Sequence, residues 1–235
     1  MLDLRMGDFR EVMQDVTAQA CIADPPYGSR THNGNADLPE RCSRSDLSGY
    51  VPWTAGDVSD FVAFWSPRTT GWMCAMTSDD LIPAWRHAYA VAGWLDFAPV
   101  PILQHRVRMV GDGPGSGAVY LMVARPREKR FLSWGSLPCW YMSQPDKTGI
   151  VNGAKPLALM RQIVRDYSRP GDLVCDPCGG GFTTALAAVM EGRRAVSSEM
   201  DAATFAKGKA RLDRGWTLPM QFDAPAPGVQ GKLLE

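Results

Sequence analysis

Apolar residues fall in short blocks separated by Gly, Pro and polar clusters, and the spacing inside each block predicts its element. Leu2 to Met6 reads as a strand, followed by a turn at Gly7-Asp8 and a short helix from Phe9 to Asp15. The apolar run Ala20-Cys21-Ile22-Ala23 is a strand that must stop at Asp24-Pro25-Pro26-Tyr27, because two consecutive prolines cannot continue a ladder. Residues 28–56 are rich in Gly, Ser, Asn, Asp and Arg with little periodicity, the pattern of a long, mobile surface loop. A helix is expected over Asp57 to Trp65, a compact strand over Gly71 to Met76, and a helix over Asp79 to Ala92, where Leu81, Ile82, Trp85, Ala88, Tyr89 and Ala92 keep helical spacing. Strands follow near Leu95 to Gln104 and Ala118 to Ala124, with a Gly-rich turn between them. Residues 131–152 read as irregular and aromatic.

The last third is the most legible. Lys155-Pro156 opens a helix whose apolar stripe is Pro156, Leu159, Met160, Ile163, Val164 and Tyr167; a proline is tolerated in the first turn because its N–H would be unpaired there. Pro170-Gly171 turns the chain into a strand from Asp172 to Cys175. The turn Asp176-Pro177-Cys178-Gly179-Gly180-Gly181 then leads into a helix from about Phe182 to Glu191. A strand from Arg194 to Ser198 ends at Glu199, and Asp201 caps a final helix to about Arg214; the tail from Thr217 reads as loose. Strand–helix alternation of this kind implies a parallel sheet covered on both faces. Ligands of such sheets bind beyond the carboxyl ends of the strands at a topological switch point, and both informative turns sit at strand carboxyl ends.

Composition bounds the class. The 235 residues fit one domain, and 45% hydrophobic with 21% charged residues argues against a disordered or fibrous chain. No apolar run approaches the ~20 residues of a membrane span. Met1 to Arg5 has neither the basic start nor the apolar stretch of a signal peptide, so a soluble protein that stays in the cytoplasm is expected. Twenty-five basic residues balance twenty-five acidic ones, so global charge names no partner. A local excess of four positive charges does occur over 104–130, from Arg106, Arg108, Arg125, Arg127, Lys129 and Arg130 against Asp112 and Glu128. It is a candidate phosphate-contacting surface, or equally a solvated charged loop. The loop after Tyr27 adds Arg30, Arg41 and Arg44. The six cysteines are scattered and expected reduced, and the lone Cys175-x-x-Cys178 lacks the two further ligands a zinc site needs. Most of Trp53, Trp65, Trp72, Trp85 and Trp94 are expected in the core.

Two turns carry chemistry. Three consecutive glycines between a strand and a helix let backbone approach a ligand and aim N–H groups at an anionic group. The spacing matches neither GxGxxG nor GxxxxGK[ST], which lowers both NAD and ATP. Glu199, at the next strand end, is placed to accept both ribose hydroxyls of a nucleoside, so the ligand suggested is a nucleoside with a modest anionic group such as a carboxylate. A tight turn and a solvated glutamate are the bland alternative. In Asp24-Pro25-Pro26-Tyr27, the Asp side chain and the Pro25 carbonyl are two acceptors at a rigid corner, suited to an exocyclic –NH2 group, and Tyr27 can stack on a planar base. The bland alternative there is a polar loop after a buried strand.

Together the two turns resemble an amino-directed DNA methyltransferase of the permuted β type, which uses S-adenosylmethionine (SAM) and leaves S-adenosylhomocysteine. The resemblance covers most of residues 1–215. Met6-Gly7-Asp8 matches the element whose acid, Asp8, sits near the SAM adenine. Asp24, Pro25, Pro26 and Tyr27 match the catalytic motif, and Gly153-Ala154-Lys155-Pro156-Leu157 the helix-opening motif that contacts SAM. Asp176, Pro177, Cys178, Gly179, Gly180, Gly181, Thr183 and Thr184 match the loop beneath the methionine moiety, and Glu199 the ribose acid. Gly111 to Pro114 and Val123 to Pro126 resemble stretches of small phage-borne members. The family's last loop glycine is Phe182 here, either a cost to SAM affinity if positive φ or room is needed, or a first helical residue whose side chain points away.

The resemblance implies a three-layer Rossmann-like sheet, mostly parallel with an antiparallel edge strand, in circularly permuted motif order. It implies one methyltransferase domain over 1–216, a mobile loop at 28–56, a target-recognition region over 99–152 and a loose tail over 217–235. It further implies adenine-N6 methylation of a flipped base in double-stranded DNA, since Asp at the first motif position goes mostly with adenine. Cytosine-N4 methylation and a catalytically inactive DNA- or nucleotide-binding protein are the alternatives. RNA or protein methylation fits less well, because the motif there is usually Asn-Pro-Pro-Tyr after the SAM loop. No metal is implied, a homodimer is compatible, and with no nuclease motif in the chain a solitary methyltransferase is the simpler expectation.

Overall fold

The computed structural model describes residues 1–29, 51–105, 115–128, 134–144 and 154–214. The strands are β1 (Leu2–Met6), β2 (Ala18–Ala23), β3 (Thr69–Thr77), β4 (Trp94–Asp96), β5 (Val100–Gln104), β6 (Ala118–Pro126), β7 (Tyr141–Ser143), β8 (Leu173–Asp176) and β9 (Arg194–Glu199). The helices are α1 (Phe9–Val12), α2 (Ala55–Trp65), α3 (Ile82–Val91), α4 (Leu157–Tyr167), α5 (Thr183–Met190) and α6 (Ala202–Asp213). All nine strands join one sheet in the order β1-β9-β8-β2-β3-β6-β5-β7, with β4 beside β5 on the same edge of β6.

β1, β9, β8, β2 and β3 are mutually parallel. β6 runs antiparallel to β3, β4 and β5, and β7 is parallel to β5. The reversed strand is therefore interior, not at the edge as expected. Its neighbours explain the position: the apolar run Leu121 to Ala124 is buried on both faces, which an edge strand would not need.

Period-2 alternation splits each central strand between two cores. Ala20 and Ile22 of β2 and Trp72, Cys74 and Met76 of β3 face α4 and α5. Cys21 and Ala23, with Met73 and Ala75, face α1, α2 and α3. This is the expected three-layer arrangement. Trp65, Trp72, Trp85 and Trp94 are buried, and Trp53 stacks on Trp85 and packs at a tilt against Phe61.

Several boundaries differ from the sequence reading. α1 ends at Val12, three residues early, because Met13 leaves the helical region. α2 begins at Ala55, inside the stretch read as loop: Thr54 and Asp57 form a reciprocal capping box there. Residues 95–104 divide into β4 and β5. β7, three residues long and in a stretch read as irregular, carries too little pattern to be seen. Pro156 is the N-cap of α4, one position before the helix proper.

From β2 the chain passes through α2 to β3 on one side, and from β8 through α5 to β9 on the other. β2 and β8 are hydrogen-bonded neighbours, with Cys21 opposite Cys175. The direction of winding reverses between them, which makes their carboxyl ends the topological switch point of the sheet.

Candidate active site

Asp24 follows β2 directly, and Asp176 is the last residue of β8, so the two predicted turns stand side by side over the switch point. Glu199 ends the next strand, β9, and Asp8 follows β1 beyond it. Four carboxylates from four adjacent strands thus line one edge of the sheet.

The corner at Asp24 is pinned by side chains from distant segments. The Tyr27 hydroxyl donates to Asp24 Oδ1 at 3.1 Å. Lys155, just ahead of α4, donates from Nζ to Asp24 Oδ2 at 2.6 Å, and its ammonium lies 5.0 Å from the centre of the Tyr27 ring. Burial pulls the Lys155 ammonium down, but the charges of Asp24 and Tyr27 and the hydrogen bonds to them together more than offset it, and the net shift is upward. Burial, and then the Asp24 charge, push the Tyr27 phenol up, so it stays a donor. The Gly28 N–H donates to Ser78 Oγ at 3.0 Å, and Ser78 in turn donates to Asp80. A Cβ on residue 28 would lie 2.1 Å from Asp80 Oδ2, so glycine is required for this approach. The Tyr27 carbonyl accepts from Trp53 N–H at 3.1 Å, which ties residue 53, ahead of α2, to the corner.

The glycine turn is held mostly by the neighbouring strand. Cys178 N–H donates to Asp176 Oδ1, Gly179 N–H to the Ser198 carbonyl, and Gly180 N–H to Glu199 Oε2. Ser197 and Ser198 hydroxyls donate to the carbonyls of Asp176 and Pro177. Of the three glycine amides expected to aim at an anionic ligand, those of Gly179 and Gly180 donate within the protein instead. What the turn presents is space and negative charge. A Cβ on Gly180 would meet nothing within 4 Å. Burial pushes the Asp176 carboxyl up to about 7, against the hydrogen bonds from Thr184 and Cys178 and reinforced by Asp24 and Glu199. Burial likewise raises Glu199. An edge of this kind suits a cationic ligand more than an anionic one.

Glu199 accepts from Gly180 N–H and from Asp201 N–H, one on each oxygen, which leaves a lone pair on each for a diol. Asp8 caps α1 through Arg10 N–H and pairs with the Arg10 guanidinium. Thr184 bonds Asp176, and Thr183 Oγ1 accepts from Arg211. Pro25 is buried and Pro26 half-buried in the corner.

Phe182 does have positive φ, 59°, and is the N-cap of α5 rather than its first helical residue. Its ring is fully buried, edge-on to Phe205, in a slot between Gly179 and Gly208 that any Cβ at those positions would invade. The left-handed backbone costs roughly 1–2 kcal/mol, while burying a phenyl ring of ~200 Å² stabilises by about 5 kcal/mol. The ring thus packs inward, against Phe205 and the backbone of Gly208.

Of the predicted basic residues, Arg125 and Arg127 are among those described, and neither lies at this edge. Tyr120 pairs with Thr77 at the carboxyl end of β3, but Arg125 and Arg127 lie at the other end of the reversed strand β6, about 20 Å away at strand rise. Arg127 donates to the Trp94 carbonyl and Arg125 lies near the Phe97 ring. Arg30, Arg41, Arg44, Arg106, Arg108, Lys129 and Arg130, with the stretches 111–114 and 151–153, fall outside the described residues. On the site's own edge, beyond β3, a cavity of about 460 Å³ is lined by residues including Asp79, Leu103, Ser116 and Tyr120.

Sequence reasoning missed Ser78 and Asp80, and it placed Lys155 in the helix-opening motif that contacts SAM without seeing its bond to Asp24. Ser78 looks like a helix cap but makes no cap bond; its partner Gly28 is fifty residues away. No local signal marks such a contact.

Residues 125–208, which run from the end of β6 through the glycine turn and Glu199 into α6, match the family model for DNA methylase. Over these residues the chain is similar to the N6/N4 DNA methylase family. A 59-residue stretch is 41% identical to the DNA adenine methyltransferase YhdJ of Escherichia coli, covering 25% of this chain and 20% of that protein. The matched part is thus one fifth of the curated relative's length. The fold is similar to the crystal structure of M1.HpyAVI, with a TM-score of 0.67 at 19% identity over 91% of this chain and 99% of the other. It is also similar to the cytosine-N4-specific PvuII DNA methyltransferase, with a TM-score of 0.61 at 14% identity over 90% and 86%. The proteins this chain is similar to thus include one named for each amino base.

Proposed function

We propose that this chain is a SAM-dependent DNA methyltransferase that methylates the exocyclic N6 of an adenine swung out of the duplex. The observation that carries the reading is the juxtaposition of Asp24 and the Gly179–Gly181 turn at neighbouring strand ends. The residues fit SAM by charge and by space: the sulfonium and ammonium suit the acidic edge, the diol suits Glu199, and the gap over Gly180 leaves room for the chain of the amino acid. M1.HpyAVI, of similar fold, has a crystal structure as a SAM complex, which supports the same cofactor.

When bound, SAM supplies a methyl group already activated by its sulfonium, so no protein nucleophile is required. Asp24 and the Pro25 carbonyl accept the two amino hydrogens and hold the nitrogen lone pair out of conjugation with the ring. Tyr27 stacks against the extruded base. The nitrogen forms the new C–N bond as the C–S bond breaks; S-adenosylhomocysteine leaves, and the methylated nitrogen releases one proton to solvent. Positioning and fixed charge carry the rate. Extrusion costs a few kcal/mol, which contacts to the duplex must offset.

Adenine is preferred to cytosine because residue 24 is Asp and because the partial match is to an adenine methyltransferase. The test is incubation of duplex DNA with the protein and labelled SAM, then digestion to nucleosides. N6-methyladenine is expected. N4-methylcytosine alone overturns the base assignment, and no labelled nucleoside from any duplex overturns the activity.

A further inference from the structure

We propose that Lys155 is a positioning residue, which holds the Asp24 carboxylate turned toward the incoming amino group. The inference rests on the methyl-transfer reading above and deepens it, moving Lys155 from the cofactor to the catalytic corner. Three observations carry it. Nζ lies 2.6 Å from Asp24 Oδ2, and both side chains are largely buried, at 16% and 24% exposure. The ammonium also sits against the Tyr27 ring, whose hydroxyl takes the other carboxylate oxygen. Lys155 and Tyr27 therefore clamp the carboxylate from both oxygens and fix its plane, leaving one lone pair on each for a substrate.

The chemistry needs this. An ionised carboxylate only accepts hydrogen bonds; a protonated one donates a proton and occupies the lone pair that must attack. The groups facing Asp24 are Tyr27 from its own corner, Lys155 ahead of α4, Asp176 at the end of β8 and the Cys178 thiol in the glycine turn, with Asp80 reaching the corner at Gly28. Among the described residues, Lys155 is the one cation in this group, and its ammonium and the Tyr27 hydroxyl together fix the carboxylate plane.

The experiment compares wild type, Lys155→Met, Lys155→Gln and Lys155→Arg. SAM affinity is measured by calorimetry, and single-turnover transfer is measured at saturating SAM and DNA. For Lys155→Met and Lys155→Gln the expected result is SAM affinity within about threefold of wild type. Transfer at saturation should be on the order of a hundredfold slower. Lys155→Arg should recover most of the rate. Melting temperature and SAM binding identify a variant that fails to fold, and the second neutral variant then decides. A tenfold loss of SAM affinity with an unchanged rate at saturation overturns the inference, because Lys155 then serves the cofactor. A rate that Lys155→Arg does not recover, in a folded variant that binds SAM, also overturns it. If wild type transfers methyl groups and the neutral variants match it, the inference fails alone; if wild type transfers none to any duplex, the proposed function fails and takes the inference with it.

Discussion

The corner after β2 and the glycine turn after β8 are neighbours at the same sheet edge, yet they are held in opposite ways. The corner is fastened by side chains from far along the chain, with Lys155, Ser78 and Trp53 all reaching residues 24–28. The turn is fastened by the adjacent strand β9, through Ser197, Ser198 and Glu199, and by a ring of its own tucked beneath it. The difference follows from what each must offer. A corner that presents acceptors needs its own donors and cations supplied from outside. A turn that offers space must direct its amides and its bulk inward.

The largest effect that separates the two regions is expected at the corner. Asp24→Ala removes the acceptor but no part of the turn, so transfer should fall by at least on the order of a thousandfold while SAM affinity is kept. Transfer assays paired with calorimetry check this, and undiminished turnover breaks the comparison. In the turn the corresponding loss is structural. Phe182→Ala forfeits ring packing and keeps the strained backbone, for a destabilisation of about 4 kcal/mol. Phe182→Gly relieves the positive φ and should cost about 1 kcal/mol less, as read by urea unfolding. If the alanine and glycine variants are equally stable, the strain assigned to φ 59° is absent.

A smaller effect tests the fastening of the corner. Gly28→Ala drives a methyl against the Asp80 carboxylate, so transfer should slow by about tenfold or more with SAM binding unchanged. Asp80→Ala in the same chain should recover part of the rate; no recovery points to the backbone rather than the contact.

The smallest expected effect is electrostatic and belongs to the turn. Burial holds Asp176 up to about 7, above its ordinary 3.8. The native state therefore binds more protons than the unfolded state between these values, and stability falls as pH rises through that window. A cationic ligand favours the ionised form, so SAM affinity should rise with pH through about 7 and level off above it, by up to about tenfold. Calorimetry from pH 5.5 to 8.5 reads the slope, which Asp176→Asn should flatten.

The elements themselves were legible where the pattern is local. The prolines at 25 and 26 end a strand, the apolar stripe of α4 has helical period, and Asp201 caps α6 as its spacing predicts. Both turns that carry the site are short-range strings, and so they too could be read from the chain. Less visible were β7, too short for a period, and the capping box that begins α2 inside an apparent loop.

What the sequence by itself determined is therefore the set of parts: alternating strands and helices, an acceptor corner and a glycine turn, each specified by backbone chemistry within a few residues. Only the tertiary structure decided how they meet. It paired β2 with β8, delivered Lys155 across 131 residues to Asp24, turned the amides of 178–180 inward, and carried Arg125 and Arg127 to the opposite end of a reversed strand. Such contacts depend on strand order and on which face a side chain takes, and these are set by burial over the whole sheet rather than by any window of sequence.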